Sequence, residues 1–548
     1  MREEGAVSPA DGSADHLREV IRDCVHCGFC LPACPTYQLW GEEMDSPRGR
    51  IYLVSQVLDG AELTPAGAEH FDRCLGCMAC MTACPSGVQY DQLIEVARVW
   101  TEEARAAGGV GGAAGAQPTD DSAGAAGAAV VRGAAGAAAG GAADAAGEAG
   151  ARGAGPGVRL GAAGRRVRER AARAAIFSLF PYPGRLRVMT APLRVAQRTG
   201  LDRRLARSTL PGRLSPELGA ALRLAPGGPG ERGRAPAGGA ARGGGAGGGA
   251  VRGRAFGSLG PAARGGRLPE RVPAVGTRRA VVGMLTGCVQ SVFFPQVNAA
   301  TARVLAAEGC DVIIPRGQGC CGALSLHSGR EAEAEAFARR TIDTFEQAGV
   351  DMIVVNSAGC GSAMKEYERL MARARRPDLG GPRGLRDPRG EADDGWTERA
   401  AGFSAKVRDL AEFLAELGPV APRHPLPVTA AYHDACHLGH AQGITRQPRD
   451  LLRGIPGLKL VELPDAGNCC GSAGVYNLLQ PEAARELGAR KAEGVLAAGA
   501  PLLISANPGC SLQIAAALGD RGERIAVAHT AEVLDASIRG VTPPWATA

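Results

Sequence analysis

Past residue 280 the chain alternates short apolar runs with longer stretches whose apolar residues recur every three or four positions. AVVGMLTGCV leads to PQVNAATARVLAAEG, CDVIIP, QGCCGAL, REAEAEAFARRTIDTFEQAG and VDMIVVNSAGCGSAM. The short runs predict strands and the periodic stretches helices. Strands joined through helices of this length imply right-handed crossovers and largely parallel sheets. The later text repeats that order, with VTAAYHDACHLG, GLKLVELPDAGNCCGSAG, PEAARELGARKAEGVLAAG and APLLISANPGCSLQI. Upstream, residues 165–224 set apolar residues at helix-like intervals between arginines, which predicts short basic amphipathic helices. The Ala/Gly text before them has too little side-chain surface to offset the entropy of ordering it, and reads as a disordered linker.

The cysteines sharpen this division. Eight of the 17 lie between Cys24 and Cys84, none from Pro85 to Gly287, and nine from Cys288 to Cys510. Cys288 and Cys320 are 32 apart and Cys436 and Cys469 are 33 apart, while Cys321 to Cys360 is 39 and Cys470 to Cys510 is 40. Two copies of strand, helix, strand, Cys-Cys-Gly, helix, strand, Cys account for eight of the nine, and the remaining Cys310 reads as a small buried apolar residue. All eight fall in or just after strand ends, where parallel sheets bind ligands.

The head runs CVHCGFCLPACP and CLGCMACMTACP share the spacing C-x2-C-x2-C-x3-C-P. Two residues between thiols let one loop offer three thiolates to a cubane, and the fourth Cys, before Pro, is aimed at a neighbouring cluster. Cys24, Cys27, Cys30 and Cys84 are thus expected to hold one [4Fe-4S] cluster, and Cys74, Cys77, Cys80 and Cys34 the other. Structural zinc is the competing reading, disfavoured because zinc knuckles seldom add a third Cys and then Cys-Pro. His26, inside the first loop, is expected to donate a hydrogen bond rather than ligate. In the second body Cys288, Cys320, Cys321, Cys360, Cys436, Cys469, Cys470 and Cys510 are candidates for an additional metal or redox site. Further iron–sulfur, zinc and metal-free redox thiols all stay open there, because adjacent cysteines make no comfortable disulfide and the following glycine suggests close backbone approach. The imidazoles of YHDACH suit either a proton carrier or satisfied core histidines.

The expected fold is multidomain, α+β and α/β. It comprises a helical two-cluster ferredoxin-like domain over 17–100, an Ala/Gly linker over 101–160, a basic helical segment over 161–225 and a Gly/Arg-rich linker over 226–278. A first Cys-Cys-Gly repeat over 279–370, a connector over 371–400 and a second repeat over 401–540 follow, both on largely parallel sheets. With aromatics at 4% and 80 glycines, the cores must be built mainly from Ala, Val, Leu and Ile.

Charge is uneven. Residues 101–280 hold 28 Arg, no Lys and 11 acids, a net of +17, against −11 elsewhere. That patch suits anionic lipid, an acidic partner or a solvated surface; nucleic acid is not expected, since no aromatic platform accompanies it. No run of eighteen apolar residues occurs, so membrane contact is expected to be at most peripheral, on the inner face of the cell membrane. The N-terminal text shows no apolar segment for a signal peptidase, so a cytoplasmic location is expected, where clustered thiols hold metal or do redox chemistry.

Both ferredoxin runs, SPRGRIYL (46–53), GCVQ (287–290), QGCCGALSLHSG (318–329), YHDACHL (432–438) and GNCCGSAG (467–474) together make the chain resemble the iron–sulfur subunit of bacterial glycolate oxidase, within a wider group of Cys-Cys-Gly-domain iron–sulfur oxidoreductases. The resemblance implies an electron-transfer subunit of an oxidoreductase, passing electrons from a flavoprotein partner that oxidises the 2-hydroxy acid toward a quinone-linked acceptor. No flavin or dinucleotide fingerprint occurs in the chain itself. Lactate-utilisation and anaerobic glycerol-3-phosphate dehydrogenase subunits, and heterodisulfide-reductase-like thiol chemistry, are the alternatives within the group. Heterodisulfide-reductase relatives end each repeat in C-x2-C, whereas here Ser357 and Asn507 stand in place of the extra thiol.

Overall fold

The computed structural model describes residues 14–107, 162–199, 216–225, 268–373 and 395–546. Most of the expected linkers over 101–160 and 226–278, and of the connector over 371–400, lies outside the described residues.

The head is helical: Ala14–Arg22, Pro35–Trp40, Pro47–Leu58, Pro65–Arg73, Ala79–Ala83 and Tyr90–Ala106. Ser46 and Thr64 cap two of these by accepting from the backbone N–H of Gly49 and Gly67, each followed by proline in the first turn. Leu17, Val20, Ile51, Phe71, Leu93 and Ile94 form the core, with Cys74 and Cys80 at its edge.

The body holds two sheets. The first contains β1 (Arg271–Val272), β2 (Ala280–Met284), β3 (Cys310–Ile313), β4 (Met352–Val355) and β5 (Val407–Asp409) in the order β1-β3-β2-β4-β5. The second contains β6 (Thr429–His433), β7 (Lys459–Glu462), β8 (Leu502–Ser505) and β9 (Ala526–Ala528) in the order β7-β6-β8-β9. Every pairing is parallel except that of β1 with β3. Without β1, the two sheets share one topology.

Two expected boundaries move. β5 pairs with β4, so the first sheet takes its last strand from beyond residue 400, and the connector is an insertion within the crossover from β4 to β5. Likewise the Gly/Arg-rich linker ends before 278, because buried Val272 pairs with Val312 and Asp311 accepts from Ala274 N and Arg271.

The two copies pack about an approximate two-fold axis. Helix Pro295–Ala307 lies on Thr530–Arg539, and Arg446–Arg453 on Leu410–Leu417, so each copy's first crossover helix meets the other's last helix. Arg303 grips Asp535 in a two-pronged pair at 2.8 and 2.6 Å. Val282, Leu305 and Val312 share one core with Tyr432, Leu502 and Leu534. At the seam, Ser357 Oγ donates to Asn507 Oδ1 at 3.3 Å, and Ala358 N to Ala506 O at 3.3 Å. The residues standing in for the extra thiols thus help join the copies.

Helix Tyr90–Ala106 seats the head on the first repeat. Arg373 donates to Glu95 at 2.8 Å and Arg369 pairs with Asp91 at 2.7 Å. The basic segment docks as well: Arg173 donates to Glu102 at 2.8 Å, Arg170 to the carbonyl of Arg105 at 3.1 Å, and Ile176 and Phe177 pack on Val475 and Leu478. Some of its positive charge is therefore matched by the chain's own acids and carbonyls. Among the described residues no helix is long and apolar enough to cross a membrane.

Two outcomes follow for this junction. Gly329 has φ +75°, and a Cβ there would lie 2.1 Å from the Arg98 carbonyl oxygen of the head helix. Gly329→Ala should therefore cost about 1–3 kcal/mol, read as a lower denaturation midpoint, with faster amide exchange along 90–106. Burial alone would raise Glu95, but Arg373 and Arg369 hold it at about 2, below its unfolded value of about 4.3. Its contribution is complete above that unfolded value and is lost as pH falls from about 4.5 through about 2. Amide exchange in helix 90–106 should rise across that window, and Glu95→Gln should remove that part of the pH dependence.

Candidate functional site

Each head run folds as a tight loop entering a short helix. Left-handed residues bend the loops at matching positions, His26 (φ 54°) and Gly28 (φ 82°) in the first, Gly76 (φ 62°) and Met78 (φ 61°) in the second. His26 and Met78 carry the strain of L side chains in that region. Cys24, Cys27 and Cys30 line a small cavity of about 30 Å³ together with Cys84 from the other run, and Cys80 and Tyr90 close its inner side. Cys34 lies close enough that its charge acts on Cys77 and Cys80, as well as on Cys30 of its own run. The structure thus brings the fourth cysteine of each run toward the thiols of the other.

The two sets differ in setting. Cys27 is exposed, with Val25 and Phe29 beside it at the surface, whereas Cys34, Cys74, Cys77 and Cys80 are buried. Burial would raise the Cys74 thiol, but Arg50 and Arg98 more than offset it and hold it below its ordinary value. Burial pushes Cys77 and Cys80 well up. Compact groups of thiols, one with cations beside it, fit anionic [4Fe-4S] clusters, whose binding deprotonates the ligands.

A buried polar hub fixes the loops. Asp45, fully buried, accepts from Arg73 at 2.8 Å and Arg50 at 3.3 Å and bonds His70 Nδ1 at 2.9 Å. Arg50, also buried, donates to Thr36 Oγ1 at 3.1 Å and to the carbonyl of His70 at 2.7 Å. Thr36 Oγ1 lies 3.2 Å from Cys34 Sγ. In the sequence, SPRGRIYL stands out only as a point of resemblance. An arginine amid apolar helix positions was the available signal that it is buried and partnered.

In the first repeat Cys288 Sγ is 3.6 Å from Cys320 Sγ, and hydrogen bonds from Cys320 and Cys360 hold the Cys321 thiol well below its usual value. Tyr182 of the docked segment packs its ring 5.7 Å from that of Phe337 beside Cys288 and Cys320, a cover that sequence did not reveal. In the second repeat Cys436 bonds Cys469, and Cys470 faces Cys510. His433 joins Cys470 and Cys510 with its ligand atom within 4.8 Å of theirs, and its Nδ1 lies 3.1 Å from Ser505 Oγ. Cys310 is buried in β3, away from both groups. The charge of Cys436 also acts on Cys77, so the second repeat's thiols adjoin the second head set.

Residues 20–88 match the 4Fe-4S dicluster domain, and 282–365 and 430–515 match the cysteine-rich domain. Residues 168–225 match the linker region of the glycolate oxidase iron–sulfur subunit. The chain is 29% identical to the probable glycolate oxidase iron–sulfur subunit of Bacillus subtilis, over 94% of this chain and 93% of that one. It is 28% identical to the glycolate oxidase iron–sulfur subunit of Escherichia coli, over 95% and 94%. Lactate utilization protein A of an Exiguobacterium strain is 31% identical, over 47% of this chain and 98% of its own. With dicluster head, linker and duplicated cysteine-rich repeat in one order, the chain belongs to the family of glycolate oxidase iron–sulfur subunits.

Proposed function

We propose that this subunit takes electrons from a flavoprotein subunit that oxidises glycolate and passes them through two [4Fe-4S] clusters toward a quinone-linked acceptor. Cys24, Cys27, Cys30 and Cys84 hold one cluster, and Cys74, Cys77, Cys80 and Cys34 the other. The observation that supports this reading is that Cys84 lines the first cavity while Cys34 bears on Cys77 and Cys80. When bound, such clusters supply one-electron carriers. The chain's own part is to position the thiols, exclude water from the second set and keep the Arg50 cation near Cys74, where it favours added negative charge. The exposed first loop suits exchange with a docked protein. The second repeat's Cys436, Cys469, Cys470 and Cys510, next to Cys77, form the better placed of two further metal or redox sites; Cys288, Cys320, Cys321 and Cys360 form the other. Coverage favours glycolate over lactate as the system served, since the lactate-utilisation relative matches only 47% of the chain.

Anaerobically purified protein should hold about eight irons if the head alone is loaded, and more if the repeats join. Exchange of fourth cysteines makes Cys34→Ser lose the same electron paramagnetic resonance signal as Cys77→Ser, and Cys84→Ser the same signal as Cys27→Ser. Ligation within each run reverses those pairings and would refute the assignment. Glycolate should elicit both signals in the complex assembled with the flavoprotein and neither signal in the subunit alone.

A further inference from the structure

A partly open cavity of about 90 Å³ lies where the head, helix Ala162–Leu179 and both repeats meet. It is far larger than the roughly 10–15 Å³ that admits one water. His327 lies six residues after Cys321, and Tyr476 six residues after Cys470, so they occupy equivalent positions in the two repeats. Both line this cavity, which therefore lies across the approximate two-fold axis.

Among the cavity-lining side chains His327 Nε2, His437 Nε2, the Tyr476 hydroxyl and Arg173 Nε are buried without a hydrogen-bond partner. The charged lining is matched within the fold, Glu69 by Arg73, Asp72 and Glu169 by Arg105, Arg173 by Glu102 and Arg98 by the carbonyl of Cys74. Burial lowers His327 to about 4, so its ring is neutral near pH 7 and able to donate through Nε2–H. The His437 ring lies 4.9 Å from that of His327 and its Nδ1 is 3.5 Å from Cys436 Sγ. Leu75 and Val475 add apolar wall, and Cys74 places the second head set at the cavity's edge.

A fitting occupant has a flat apolar body, two acceptor oxygens on opposite sides and no charge of its own. We propose that this cavity binds the head group of a para-quinone, whose two carbonyls are themselves related by a two-fold axis, with His327 and Tyr476 each donating to one of them. The inference rests on the electron-transfer reading above, which supplies the reductant. Two electrons arriving through this subunit and two protons drawn from water convert the quinone to hydroquinone, each carbonyl oxygen gaining one proton.

The test is calorimetric titration of menadione into the oxidised, cluster-loaded full-length protein, wild type against Tyr476→Phe and His327→Gln. Tyr476→Phe removes only an oxygen that bonds nothing in the fold, so folding should persist. Each variant is expected to weaken binding roughly tenfold, about 1.4 kcal/mol. Menadiol formation by the dithionite-reduced protein should fall by a similar factor relative to ferricyanide reduction, which the exposed first loop can serve. A loaded wild-type protein that does not bind menadione, or variants that bind it unchanged, overturns this inference alone. A protein that loads no iron overturns the electron-transfer reading and this inference with it.

Discussion

The head depends on one buried carboxylate. Asp45 has no access to solvent, and it is tolerable there only because Arg50, Arg73 and His70 surround it. Removing a partner from such a group typically costs about 3–5 kcal/mol, since the remaining charge stays buried. The contacts cross the duplication: Asp45 and Arg50 follow the first cysteine run, while His70 and Arg73 immediately precede the second. The hub thus ties the segment after the first loop to the segment before the second, beside the apolar core that the two loops share. Arg50 has a second effect, because the same guanidinium lowers the Cys74 thiol. One buried cation both holds the loops in register and sets the electrostatics of the inner site.

The cysteine spacings and the alternation of strands and helices were legible because both have short periods. Eight head thiols and two copies of one parallel topology could be read from residue intervals alone. β5 could not, because three residues, Val407, Arg408 and Asp409, follow directly on a helix and carry no strand pattern of their own; they pair only because β4 offers an edge. β1 failed for the same reason, being two residues whose pairing depends on Val312 and Asp311 forty positions away. The docking of the arginine-rich segment was equally hidden. Its charge left anionic lipid, an acidic partner and a solvated surface open, and only the fold reveals that Glu102 and the carbonyl of Arg105 lie where Arg173 and Arg170 need them.

Duplication explains the body's shape, and divergence explains its asymmetry. Both copies contribute to one core, so neither can shift without opening the seam at Ser357 and Asn507. The thiol groups nonetheless face different surroundings. The first lies under Tyr182 of the docked segment, while the second adjoins Cys77 of the head. His433 sits among the second group's thiols, where the equivalent position of the first copy is Leu285, so a ligand-capable nitrogen is present on one side only.

That asymmetry has an electrostatic consequence. Arg50 and Arg98 act on Cys74, and the body beyond it presents the half-buried Cys436 and the buried Cys469 and His433. Each added negative charge in this region is poorly screened by solvent, so its energy is set by fixed protein cations and by mobile protons. The first head loop, at the surface with Cys27 exposed, has water to screen it. A charge entering at the exposed loop therefore meets a rising dependence on protein dipoles and bound protons as it moves inward. On the proposed path the inner half is where an added electron most needs a compensating proton, and the unpartnered polar atoms of His327, His437 and Tyr476 cluster at that end of the molecule.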